Sequence, residues 1–214
     1  MNNQEKILEI IKEEYVGMGC GLSFKSPYQL LIATMLSAQC TDKRVNIVTD
    51  ELFKNYDTPE KMTKLTEEEL GKIIKSCGLY KNKSKNILKA TREIIEEHEG
   101  KVPDTFDELI KLSGVGRKTA NVVLYNAFAI PTMAVDTHVF RVSNRLGIGK
   151  GKNPEEVEKK LTGLIDREDL GKFHHYLICH GRLVCTARNP KCDKCSLSSY
   201  CEFFNGLKEY NRDS

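Results

Sequence analysis

The sequence predicts an all-α protein, and three observations carry that expectation. Apolar residues recur at helical spacing from one end of the chain to the other. No stretch shows the period-two alternation of a half-buried strand, and cap residues stand in front of the apolar runs.

Ile7, Leu8, Ile10, Ile11 and Tyr15 form the first stripe, which stops at the turn-rich GMGCGL. Ser26 followed by Pro27 places a cap and a first-turn proline before YQLLIATMLSAQ. A further helix is expected from about Asp42 to Tyr56. Thr66 with Glu69 makes a capping box for EEELGKIIKSCG, and a helix from Lys83 to His98 meets its stop at Gly100. Phe106, Leu109 and Ile110, then Ala120, Val123, Leu124, Ala127 and Phe128, mark two short helices on either side of Gly114 and Gly116. Val139, Val142 and Leu146 carry the next. Asn153, Pro154 and Glu156 repeat the cap, proline and acidic signals for EEVEKKLTGLI, and the last long helix runs to about Val184. The pauses at 17–27 and 129–132 read as domain punctuation, since Ile130 precedes Pro131 and is pushed out of the helical region.

With 40% hydrophobic residues in 214, the chain can bury the core of one large domain or two small ones. Thirty-three basic against 30 acidic residues leave +3, so no global field selects a polyanionic partner and any basic footprint has to be local. Between 170 and 195, Lys172, Arg182, Arg188, Lys191 and Lys194 face Asp193 alone. A solvated charge cluster would read the same way. The N-terminus has no unbroken apolar core for a secretory signal, and no run approaches the roughly 18 residues of a membrane span. A cytoplasmic protein is expected, with no membrane partner. Its eight cysteines then read as buried thiols or metal ligands and not as disulfides.

LSGVGRKTANVV, residues 112–123, interrupts the helical pattern most sharply. Gly114 and Gly116 allow a tight turn, and the helix that opens behind them presents unpaired amides suited to a phosphate. A plain helix-helix turn is the alternative. Arg117 and Lys118 occupy the first turn, and Lys118 lies two residues, or about 200°, from core-facing Ala120, so it points away from the core. As a nucleophile it would have to shed a proton, because a free lysine titrates near ~10.4 and only about one in a thousand is neutral at pH 7. The dipole and Arg117 favour that loss, and partial desolvation has to add to it.

Eighteen residues on, Asp136 opens AVDTHVFRVSNRL as an N-cap, a role that would suffice to explain it. Arg141 and Arg145, four residues apart, form a basic ridge able to touch phosphate. Cys185, Cys192, Cys195 and Cys201 give C-x6-C-x2-C-x5-C, which can wrap one metal centre. Zinc sites more often pair two C-x2-C knuckles, and only one is present. Arg188, Lys191 and Lys194 lie in or beside that loop, so its expected task is to shape a basic surface able to meet phosphates. Cys20, Cys40, Cys77 and Cys179 read as small buried residues, and His174, His175 and His180 as packing groups.

LSGVGRKTA resembles the helix-hairpin-helix of DNA repair glycosylases, though Ser113 stands where the family more often has proline. GVGRKTANVV followed by VDTHVFRV, and the cysteine spacing, closely resemble the endonuclease III family. LSAQCTD at 36–42 and GLYKNKSKNI at 78–87 extend the likeness over nearly the whole chain. The resemblance implies two all-α domains: residues 20–131 carrying the hairpin, and residues 1–19 with 132–214 carrying one four-iron four-sulfur cluster on the four cysteines. It implies Lys118 and Asp136 as the catalytic pair, and Gln39 and Leu79 as the residues that fill the gap left by a flipped nucleotide. Gly114, Gly116, Arg117, Arg141, Arg145, Arg188 and Lys191 are the further expected DNA contacts. The implied protein is a monomeric, nucleoid-associated base excision enzyme acting on double-stranded DNA with oxidised pyrimidines or abasic sites. A thymine or uracil mismatch glycosylase of the same fold and a non-catalytic DNA-binding module are the alternatives. An adenine-specific glycosylase usually lacks the lysine, and a redox carrier rests on the cysteines alone.

Overall fold

The computed structural model describes residues 2–206, and among them every regular element is helical. In chain order the α-helices are α1 (Asn3–Glu14), α2 (Pro27–Leu36), α3 (Asp42–Leu52), α4 (Pro59–Met62), α5 (Glu67–Ile73), α6 (Tyr80–His98), α7 (Phe106–Leu109), α8 (Arg117–Phe128), α9 (Thr137–Leu146), α10 (Pro154–Leu164) and α11 (Leu170–Leu183). Short 3-10 turns occupy Lys75–Cys77, Arg167–Asp169 and Cys192–Lys194.

Side-chain caps fix most helix starts. Ser26, Thr66 and Asn153 accept from the amides of Gln29, Glu69 and Glu156, and Glu69 closes the capping box by accepting from Thr66. Thr58 caps α4, a helix that sequence periodicity does not announce because it is one turn long. That cap also explains why α3 stops at Leu52 and not near Tyr56: the chain turns through Phe53–Tyr56 to start the next helix. The helix expected from Lys83 begins three residues earlier, at Tyr80.

Two compact units divide the chain. One runs from Cys20 to Ile130 and holds α2–α8. Its centre is α2, buried on nearly every side from Tyr28 to Leu36, as a helix apolar all round should be. Leu70, Ile87, Leu88, Leu109, Ala120 and Val123 pack in the same core. Helix α8 ends before Pro131 on a left-handed Ala129, with the Ile130 amide donating back to the Leu124 carbonyl. The other unit joins α1 to the segment from Pro131 onward. Ile7 and Ile11 of α1 pack with Val139, Val142, Leu161, Phe173 and Leu177. Lys12 is paired across that unit with buried Asp169 at 2.6 Å. No described helix is long and apolar enough to cross a membrane.

Candidate DNA site and cluster loop

The hairpin is built on α6. Gly114 sits at φ +76°, and a Cβ there would come within 2.7 Å of the Asn86 Cβ, so both conformation and close approach demand glycine. Gly116 differs from the expectation. Its φ of −98° and ψ of 174° suit any residue, and a Cβ would meet nothing within 4 Å. What glycine leaves out at this N-cap is a side chain: α8 starts without the side-chain cap that most helices here possess, so its dipole end is kept for another acceptor.

Ser113 donates its amide and its hydroxyl to the two oxygens of Glu93 on α6, each at 2.7 Å. Arg117 lies over the Phe106 ring with its guanidinium carbon 4.7 Å from the centroid, tying α7 to α8. Lys118, next in line, is half-buried in the first turn of α8. Cys20 is its neighbour within the unit: burial pushes that thiol up, and the Lys118 ammonium opposes the rise. Nothing in sequence spacing joins Cys20 to Lys118.

Gln39 and Leu79 are exposed and both adopt left-handed backbone, at φ +55° and +47°. Between their loops lies Lys83, a buried ammonium donating to the carbonyls of Leu36, Ala38 and Cys77 at 2.7–2.8 Å. Burial holds its amine below the usual lysine range. The Cys77 thiol lies near that of Cys40, and burial first, then Cys40, pushes it up to about 11.

In the other unit Asp136 caps α9. Its Oδ1 accepts from the amides of His138 and Val139, both at 2.8 Å. The capping role is therefore real, and among the described residues the second carboxylate oxygen, Oδ2, takes no hydrogen bond. Burial holds the neighbouring His138 imidazole below its ordinary range.

Arg141 and Arg145, expected as a phosphate ridge, face the C-terminal loop in this structure. Arg141 donates to the carbonyls of Cys185 and Gly181 at 3.1 and 2.9 Å. Arg145 donates to the carbonyls of Thr186 and Ala187 at 2.7 and 3.1 Å, reaches the Cys185 sulfur at 3.6 Å, and lies over Phe203. A helix-periodic pair of arginines signals a charged ridge, whereas the carbonyls they serve lie about forty residues away and cannot be read from spacing. Arg188, Lys191 and Lys194 are exposed, and among the described residues their side chains form no ion pair.

Cys185, Cys192, Cys195 and Cys201 are free thiols lining one pocket, walled by Leu146, Val184, Pro190, Phe203 and Phe204. Burial pushes the Cys192, Cys195 and Cys201 thiols up, and neighbouring cysteines push each further. Iron reverses that balance, because a bound cation stabilises thiolate. Among the described residues no three metal-ligating side chains converge on a point that would hold one ion. Thiolates bound to a single zinc at ~2.3 Å would have to crowd together, whereas a cubane with one thiolate per iron spreads them. His180 lines the same pocket as a packing group, hydrogen-bonded to Tyr15 at 2.9 Å, with Nε2 3.8 Å from the Cys195 sulfur.

Residues 32–167 match the family model of the helix-hairpin-helix superfamily of base excision DNA repair proteins. Residues 185–201, beginning and ending on cluster-loop cysteines, match the iron-sulfur binding domain of endonuclease III. The chain is 51% identical to the endonuclease III of Rickettsia conorii, covering 95% of this chain and 97% of that one. It is 47% identical to that of Escherichia coli K12 over 94% and 97%. A solved structure of a non-covalent endonuclease III–DNA complex superposes with a TM-score of 0.92 at 43% identity, covering 98% of this chain and 99% of that one. A thermostable thymine-DNA glycosylase superposes at 0.86 with 25% identity, over 95% and 97%.

Proposed function

The chain belongs to the endonuclease III family, and from that premise we infer that it excises oxidised pyrimidines through a Schiff base on Lys118. It is a DNA glycosylase and abasic-site lyase of the base excision type, and it carries one four-iron four-sulfur cluster. The finer reading rests on Lys118: a half-buried amine in the first turn of a helix left without a side-chain cap, directly behind a hairpin suited to a phosphate.

Gly114, Gly116 and Arg117 set the hairpin amides against the backbone. Gln39 and Leu79 fill the gap as the damaged nucleotide is extruded. The Lys118 amine attacks the sugar carbon bearing the base, and the glycosidic bond breaks with its electron pair leaving on the base, which takes up a proton. Asp136 stabilises the positive charge that develops on the sugar and aids removal of the lysine proton. The Schiff base acidifies the adjacent sugar carbon, and loss of that proton expels the 3′ phosphate and cuts the strand. Cys185, Cys192, Cys195 and Cys201 hold the cluster, whose part is structural: it shapes the loop that carries Arg188 and Lys191 toward phosphates. Arg141 and Arg145 serve DNA through that loop. The enzyme acts as a monomer, and association with the nucleoid follows from its substrate.

Borohydride reduction during turnover should freeze an enzyme–DNA adduct, and Lys118→Gln should form none. An adduct that persists in this variant assigns the chemistry to another amine. A panel of modified oligonucleotides tests base choice: excision confined to thymine or uracil mismatches would replace the oxidised-pyrimidine reading with the mismatch one.

A further inference from the structure

Of the five non-glycine residues with positive φ among the described residues, Glu99 and Ala129 sit at helix C-caps, where left-handed backbone is routine. Gln39 and Leu79 have no such reason. Leu79 is the N-cap of α6, a position that normally takes extended backbone and a capping side chain, and it has neither. Left-handed backbone strains a leucine, and it persists only where the surroundings dictate it. Leu79 is moreover 54% exposed, an apolar side chain held outward.

Lys83 bonds both loops. Its ammonium has three protons and three acceptors. Two, the carbonyls of Leu36 and Ala38, lie at the end of α2 immediately before Gln39. The third, the carbonyl of Cys77, precedes Gly78 and Leu79. The Lys83 amide makes the first helical bond of α6, to the Leu79 carbonyl at 3.0 Å. Few features of a fold bury a lysine, since the charge has to recover its hydration from fixed dipoles. Here those dipoles are carbonyls left unpaired by the end of α2 and by a 3-10 turn.

We propose that Lys83 is a positioning residue for nucleotide extrusion: its ammonium locks the Gln39 and Leu79 loops together, so both side chains enter the duplex from one rigid edge. This rests on the reading of those two residues as gap fillers. Presetting both loops removes an ordering cost that would otherwise be met on binding damaged DNA.

The test uses the cluster-loaded protein, an undamaged duplex and the same duplex holding a tetrahydrofuran abasic-site analogue. The readout is the ratio of the two dissociation constants, which general electrostatic binding does not move. Lys83→Met, checked for folding by circular dichroism and for its cluster by visible absorbance, should lower that ratio about tenfold. Lys83→Arg, which keeps charge and donors, should restore most of it. In a Gln39→Ala/Leu79→Ala background, adding Lys83→Met should change nothing further. A folded Lys83→Met protein with the wild-type ratio overturns the inference, as does an equal loss in the double-variant background. If Lys83→Met does not fold, Lys83→Gln is read in its place by the same criterion. A double variant that keeps the wild-type ratio rejects the gap-filling reading itself, a result separable from failure at Lys83.

Discussion

Ser113 and Glu93, twenty residues apart, form a two-pronged hydrogen bond in which amide and hydroxyl each meet a carboxylate oxygen at 2.7 Å. Where the family more often fixes this turn with proline, this chain fixes it from outside, through α6. Glu93→Ala should cost about 2 kcal/mol, or roughly 4–8 °C in Tm. Ser113→Pro should also destabilise while Glu93 is present, because proline cannot donate the amide bond. Thermal melts of the two single variants and the combination check this; full rescue by proline would show the latch to be dispensable.

The two hairpin glycines should respond differently. Gly114→Ala meets both positive φ and the Asn86 side chain, and should lose about 2 kcal/mol or more. Gly116→Ala meets open space in extended backbone and should stay within about 0.5 kcal/mol, so any loss of its DNA affinity reports on the phosphate site. Denaturant unfolding alongside binding to a short duplex separates the two. Equal destabilisation would contradict the assigned geometry.

Asp136→Asn keeps a side-chain oxygen for the amides of His138 and Val139, so the cap survives and Tm should hold within about 2 °C. Excision should nevertheless fall roughly 10²–10³-fold, because the charge is gone from the free oxygen. Single-turnover kinetics on a damaged duplex measures it. Undiminished turnover would reduce Asp136 to its capping role.

Asp169, buried, accepts from Lys12 and Lys172 at 2.6 and 2.7 Å, and the hydrogen bond from Lys12, then that from Lys172, holds its carboxyl below the usual range. A depressed carboxyl stabilises the fold above its unfolded value and loses that contribution as pH falls through its folded value. Asp169→Asn should therefore be about 2 kcal/mol less stable at neutral pH, with the gap closing below about pH 4. Unfolding free energies across the acid range provide the check, and a gap that stays constant down to the lowest pH would remove the ion pair from the explanation.

Arg145→Met removes the donors to Thr186 and Ala187 while keeping an apolar stem against Phe203. The loop should loosen, and chelator should bleach the cluster's visible absorbance several-fold faster than in the wild type. An unchanged bleaching rate would return Arg145 to the role of a surface charge.

Local chemistry was enough to read the longer helices, the caps Ser26, Thr66, Asp136 and Asn153, the hairpin, the four clustered cysteines and the placing of Lys118 in a first turn. Each of those depends on residues within a turn or two of one another. Helix periodicity, capping and ligand spacing are short-range properties, so a linear pattern carries them. Tertiary structure alone decided that Lys83 is buried between two loops, that Glu93 holds Ser113, that Gln39 and Leu79 are left-handed, and that Arg141 and Arg145 face carbonyls. Those partners lie between 6 and 47 residues away and, apart from the Cys77 carbonyl, at least 20. A buried charge or a strained backbone is stable only when groups distant in sequence converge to satisfy it, and that convergence exists only in the folded chain.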